Sequence, residues 1–152
     1  MTAVIQRVSS ASVAVNGEVA GSCSLGFLIL LGIFKGDRER DAAALAEKIS
    51  KLRVFEDAGG KMNLSLSDVS GSVLIISQFT LCADYSHGNR PDFLSAAPPD
   101  AAKQLYELFC GEMKKRVGCD NVQNGIFGAD MKVSLVNDGP VTIIMESGVL
   151  LK

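Results

Sequence analysis

Apolar and polar positions alternate in part from Ala3 to Val15, in a segment rich in Val, Ile and Ser. A period near two predicts a strand. Asn16-Gly17 follows, the dipeptide that best fits a two-residue hairpin turn, so Glu18 to Ser22 is expected to return antiparallel. Gly26 then introduces Phe27-Leu28-Ile29-Leu30-Leu31-Gly32-Ile33, a run apolar enough for a strand buried on both faces. The period changes after Asp37, an expected N-cap with Glu39 in the first turn. Leu45, Ile49 and Leu52 lie at i, i+4 and i+7, one face of a helix. Asp57 to Ser72 reads mostly as loop, and Val73-Leu74-Ile75-Ile76 as a buried strand running straight into Ser77-Gln78-Phe79-Thr80-Leu81. After a polar stretch from Asp84 to Pro91, Pro98-Pro99 marks the start of a second helix. Ala102, Leu105, Tyr106, Phe109 and Met113 form its inward stripe, and Gly118 is its stop. Two strands are expected at the end, Met131 to Val136 and Val141 to Met145, separated by Asn137-Asp138-Gly139-Pro140.

This order, with no repeat, linker or low-complexity tract, predicts one compact α+β domain over residues 1–152. The sheet is expected to be mixed or antiparallel and barrel-like, with two main helices, because the regular alternation of a doubly wound fold is missing. The chain has 152 residues, 47% hydrophobic and 21% charged, enough for a single domain with a real core. No apolar run is long enough for a bilayer helix and no secretory signal is visible, so the cytoplasm is the expected location and no membrane partner is expected. Cys23, Cys82, Cys110 and Cys119 form no CxxC pair and His87 is the single histidine, so no metal or other cofactor is expected; the cysteines read as reduced, mostly buried small residues. A formal charge of −2 argues against a protein that tracks a long phosphate backbone. Any nucleic-acid contact should be small and local.

Four places could carry chemistry. Asn137-Asp138-Gly139-Pro140 reads as a turn between strands. It also reads as a rigid pair of backbone carbonyl acceptors, if the Gly139-Pro140 bond were cis. Ser77-Gln78-Phe79-Thr80-Leu81 is either an ordinary strand end or a rim bearing two hydroxyls, an amide and exposed backbone N–H groups. Ser77 or Thr80 needs a neighbouring base to act as a nucleophile, and His87 sits apart in a glycine-containing polar loop. Ile126-Phe127-Gly128-Ala129-Asp130-Met131 is a loop packing into the core, or the wall of a shallow apolar pocket. Arg7, alone in a neutral strand, either reaches solvent or uses its rigid fork on carbonyl oxygens or carboxylates.

Together these blocks resemble the D-aminoacyl-tRNA deacylase family, first described as D-tyrosyl-tRNA(Tyr) deacylases. The likeness runs from Ala3-Val4-Ile5-Gln6-Arg7-Val8 through Ser77–Leu81, Gly88-Asn89-Arg90-Pro91 and Phe127–Met131 to Asn137–Thr142. Ser77–Leu81 and Asn137–Thr142 at this separation are highly specific; either alone is weak. The resemblance implies a carboxylic-ester hydrolase that releases D-amino acid and tRNA, and that also accepts glycine mischarged on tRNA(Ala). It implies a homodimer in which Gly139-Pro140 of one subunit, in cis, enters the pocket of the other and rejects L-amino acids. Arg7 matches the residue bracing that dipeptide. Ser77, Gln78, Phe79 and Thr80 match the rim holding the scissile ester and terminal adenosine, and Phe127 and Met131 match pocket-lining positions. The family uses no triad; the ribose 2′-OH helps activate water. The chain departs from the family at Ser86-His87, where two basic residues are expected, which weakens a phosphate contact there. Two alternatives stay open. One is a nucleic-acid-binding module without chemistry, since eukaryotic relatives are linked to DNA replication origins. The other is a sibling deacylase with the Gly-Pro bond trans, acting on L-alanine mischarged to the wrong tRNA.

Overall fold

The computed structural model describes all residues from Met1 to Lys152. Asn16 and Gly17, with φ of 51° and 83°, make the tight turn that joins β1 (Thr2–Val15) to β2 (Glu18–Cys23). β3 (Gly26–Gly32) runs antiparallel to the first half of β1, and β6 (Ser72–Ser77) is parallel to β3. β7 (Val122–Asn124) extends the sheet in parallel beyond β6. The sheet is therefore mixed, one of the two arrangements its sequence pattern allows.

β1 is the spine. Its first half, Thr2 to Val8, lies between β3 and the last strand, β8 (Lys132–Glu146). Its second half, Ala11 to Val15, lies between β2 and β8. Register shifts between Gln6 and Val8 and again between Val8 and Ser10 bend it. The bent sheet curls towards a barrel, and the gap between β2 and β7 is bridged by the Gln123 carboxamide, which accepts the Ser22 backbone N–H at 2.8 Å.

Curling divides the core in two. Alternation along the strands sends Ala3, Ile5, Phe27, Ile29, Leu31, Val73 and Ile75 to the outer face. There they meet α1 (Glu39–Ser50) through Leu45 and Ile49 and α2 (Pro99–Val117) through Tyr106, Phe109 and Met113. Val8, Ala11, Val13, Leu28, Leu74 and Ile76 fill the inside of the curl. This explains why Phe27 to Leu31 carries no polar position: both faces are covered. α2 starts at Pro99 and stops at Gly118, whose φ of 102° only glycine adopts readily. α3 (Ser147–Leu150) closes the chain against α1.

Three local expectations need correction. Asp37 is not the N-cap of α1; Arg38 occupies that position. The Asp37 carboxylate is taken by the Met1 ammonium at 2.6 Å and the Phe34 N–H at 2.7 Å. The segment 57–72 is mostly loop, as expected, with one short strand, β5 (Met62–Leu64), paired with β4 (Phe55–Glu56). The strand through Ile76 does not continue to Leu81: it ends at Ser77, and Phe79–Cys82 winds into a 3-10 turn. Finally, the two strands expected at 131–136 and 141–145 are one strand, β8, which begins at Lys132 and pairs with β1 on both sides of Gly139-Pro140.

Candidate active site

The parallel pair β3–β6 ends at Leu31 and Ser77, which lie side by side. Beyond Ser77, Gln78 donates its backbone N–H to the Leu31 carbonyl at 2.8 Å, and the chain turns into the 3-10 segment. This change of direction lifts Phe79 and Thr80 out of the sheet and leaves both exposed. The first N–H groups of such a turn have no partner within it, so the turn itself leaves those of Phe79 and Thr80 without an acceptor. The Gln78 side-chain amide donates to the Thr80 hydroxyl.

A cleft of about 670 Å³ opens at this edge. Ser77, Gln78 and Phe79 line one side, and Phe127, Gly128, Ala129 and Met131 line another, with Ile76 and Val133 beneath. The start of α2, Pro98, Pro99 and Ala102, closes a third side. Phe127 is held by the Tyr106 ring, with centroids 5.7 Å apart, and Phe79 meets Phe93 edge-on at 5.0 Å. Small residues at Gly128 and Ala129 leave the space between Phe127 and Met131 open. The loop does both things open to it: Phe127 and Met131 pack against the two core clusters and also line the cleft. The ionisable side chains lining the cleft are Lys35 and Asp130. His87 does not line it. Burial pushes the Cys110 thiol up to about 11 and raises the Tyr106 phenol far above its ordinary value, so both stay neutral behind the wall.

Thr80, Arg7, Gly139 and Pro140 are not part of the cleft wall. Thr80 stands at its rim, and the other three form a second assembly. Val133 is the last cleft residue on β8; Gly139 lies six positions farther along, roughly 15–20 Å at the rise of a strand. Between the pairs Gln6↔Thr142 and Val8↔Asn137, β1 has one residue, Arg7, while β8 has Asp138, Gly139, Pro140 and Val141. The surplus is looped out of an otherwise paired strand. Both Gly139 and Pro140 are exposed, and the bond between them is cis. A Cβ on Gly139 would meet the Val141 nitrogen at 2.6 Å and Val141 Cγ2 at 2.7 Å, so the loop has no room for a larger residue there.

Two side chains hold this excursion. Arg7 is 6% exposed; its Nε–H donates to the Asp138 carbonyl at 2.7 Å and its Nη1 to the Val54 carbonyl at 2.6 Å. The solvent-reaching alternative for Arg7 is therefore excluded. Asn137 closes the base: its carboxamide oxygen accepts the Val141 N–H at 2.8 Å and its amide donates to the Val141 carbonyl at 3.1 Å. A side chain thus replaces the ladder partner that the loop removes. In the sequence Asn137 reads only as a turn former, though the habit of Asn of bonding nearby backbone is the available signal for this role.

The model of the family described as D-Tyr-tRNA(Tyr) deacylase matches residues 4–146. D-aminoacyl-tRNA deacylases from Geobacter metallireducens and Thermus aquaticus are 58% and 57% identical over 147 residues, which cover 97% of this chain and 96% and 95% of theirs. The chain belongs to the D-aminoacyl-tRNA deacylase family. As a member it is an enzyme, a hydrolase. A solved structure of a c-Myc DNA Unwinding Element Binding Protein superposes on this deacylase with a TM-score of 0.91 at 41% identity, covering 96% of this chain and 98% of its own. A probable eukaryotic D-amino acid tRNA deacylase superposes with a TM-score of 0.84 at 16% identity, over 96% of this chain and 100% of its own, and attests the deacylase fold alone. No helix of this deacylase is long and apolar enough to cross a membrane.

Proposed function

We propose that this deacylase hydrolyses the ester bond of D-aminoacyl-tRNA in the cytoplasm, releasing free D-amino acid and tRNA, and that it works as a homodimer. The observation carrying this reading is the separation of two assemblies within one chain: a cleft that lacks a selectivity element, and an exposed, firmly held Gly139-Pro140 that lacks a cleft. A second copy unites them if the dipeptide of one subunit enters the cleft of the other. Its carbonyl oxygens then occupy the space an L-side chain needs, and repel it by shape and by polarity. A D-side chain points away, and glycine, including glycine mischarged on tRNA(Ala), has no side chain to reject. Arg7 acts as the brace of the dipeptide.

The chemistry needs little from side chains. An aminoacyl ester is already activated, so orientation and charge stabilisation suffice. The ribose 2′-OH assists the attacking water. Backbone N–H groups at Phe79 and Thr80 receive the developing oxyanion, while Ser77 and Gln78 hold the ester and terminal adenosine, and Phe127 and Met131 line the pocket. The cleft presents one lysine and one aspartate rather than a basic surface, which suits a short single-stranded 3′ end. The decisive test is hydrolysis of matched D- and L-tyrosyl-tRNA by the same preparation. Cleavage of the D-form with the L-form spared supports the reading, and similar rates for both overturn it.

A further inference from the structure

Arg7 brings a permanent positive charge into a site where it is 6% exposed. Its two hydrogen-bonded partners, the carbonyls of Asp138 and Val54, are neutral. A buried guanidinium needs a counter-charge as well as acceptors. The one carboxylate within 4 Å is that of Glu56, whose Oε1 lies 3.9 Å from Nη2. Glu56 belongs to β4, and its neighbourhood is built to hold it there. Phe55 is buried and stacks on Phe27, with centroids 5.1 Å apart, and Phe27 is the β3 partner of Arg7. The β4–β5 register shifts between Phe55 and Glu56, the kind of bulge that re-aims a side chain. The Val54–Glu56 segment therefore supplies the guanidinium with a carbonyl at Nη1 and, 3.9 Å from Nη2, a carboxylate.

We propose that Glu56 is a positioning residue for substrate stereoselection: as the counter-ion of Arg7 it keeps the guanidinium fork on the Asp138 carbonyl and so sets where Gly139-Pro140 stands. This rests on the reading of Gly139-Pro140 as the selectivity element. Glu56 is well exposed and does not line the cleft, so its charge can be removed without disturbing the core.

The test uses the full chain with Glu56→Gln and Glu56→Ala, each alone and combined with Arg7→Ala. Two readouts are taken. One is the ratio of kcat/KM for D- and L-tyrosyl-tRNA. The other is hydrogen exchange at the Arg7 Nε–H, followed by 15N NMR and assigned by its loss in Arg7→Lys. Glu56→Gln is expected to speed Nε–H exchange and lower the D-to-L ratio, each by about two- to fivefold, while D-substrate turnover stays within about twofold. In the Arg7→Ala background the same change should do nothing further, because the path runs through Arg7. Unchanged exchange and an unchanged ratio in Glu56→Gln overturn the proposal. So does an equal loss of selectivity with and without Arg7. If exchange accelerates but the native protein cleaves both enantiomers alike, Glu56 remains the partner of Arg7 and the stereoselective reading of the dipeptide falls instead.

Discussion

The cleft edge and the Gly139-Pro140 excursion are both breaks in a strand order that otherwise runs regularly, yet they are made in opposite ways. At Ser77 the strand simply ends; the chain winds into a short turn and leaves Phe79 and Thr80 exposed, held by local bonds and by aromatic contacts with Phe93. At Asp138 the strand does not end. It loops out four residues and resumes, held by a buried guanidinium and by the Asn137 carboxamide. The first construction is concave and adaptable, as a surface that accommodates a substrate must be. The second is convex and over-determined, as the proposed role of excluding one enantiomer from a fixed place requires. Their difference implies that damage to the excursion should cost selectivity, while damage to the cleft edge should cost affinity or rate.

The sharpest way to break the comparison is Gly139→Ala. The added Cβ collides with Val141, so the excursion must move. A misplacement near 1 Å is worth about a hundredfold in rate or more, and the D-to-L ratio should fall with it, as read from kcat/KM on both substrates. Arg7→Ala comes next. It leaves the buried Val54 carbonyl and the part-buried Asp138 carbonyl without these donors, so stability should drop by about 1–3 kcal/mol in denaturant titration. Selectivity should suffer more than folding does. Arg7→Lys should restore stability better than selectivity, because an ammonium lacks the fork that reaches Asp138 and Val54 together.

Changes at the cleft edge should be milder. Ser77→Ala and Thr80→Ala are each expected to keep activity within about tenfold, since in the proposed mechanism ribose and backbone groups carry the chemistry; loss beyond about a thousandfold in a folded protein would mean a covalent mechanism. The smallest effect concerns acid stability, away from both regions. Burial raises the Asp41 carboxyl, but the Ser147 hydroxyl at 2.7 Å, the Arg38 N–H and the charges of the Met1 ammonium and Arg40 outweigh it and hold the group below its ordinary 3.8. A depressed carboxylate stabilises the fold above its unfolded value, and that stability is lost as pH falls through the folded one. Ser147→Ala should therefore flatten the melting-temperature profile below about pH 4 and leave activity at neutral pH unchanged.

Much of this architecture is legible along the chain. The Asn16-Gly17 hairpin, the doubly buried Phe27–Leu31 strand and the Pro99-to-Gly118 limits of the second helix arise from local turn chemistry and from period. The places where local rules mislead have a common cause. Asp37 resembles a cap because capping is a local rule, but the distant Met1 ammonium competes for its carboxylate. Asn137 to Pro140 resembles the turn of a hairpin because each residue forms turns, but β1 is long enough to pair with β8 on both sides of them. The β4–β5 pair is hidden because two- and three-residue strands leave no period to detect.

The residue identities alone specified two covered faces for β3, the places where helices begin and end, and the Ser77–Leu81 and Asn137–Thr142 blocks through which the family could be recognised. These rest on dihedral preferences, hydrophobic period and specific residue order, all written within a few positions. Tertiary structure decided the rest: that Arg7 turns into the protein, that Asp138 to Val141 is an excursion within a continuous strand, and that Phe127 and Met131 face Ser77 across a cleft. Each of those depends on a partner far away in sequence. A guanidinium goes where distant carbonyls accept it, a strand continues where another strand offers a ladder, and a cleft exists only where separate elements stop short of touching.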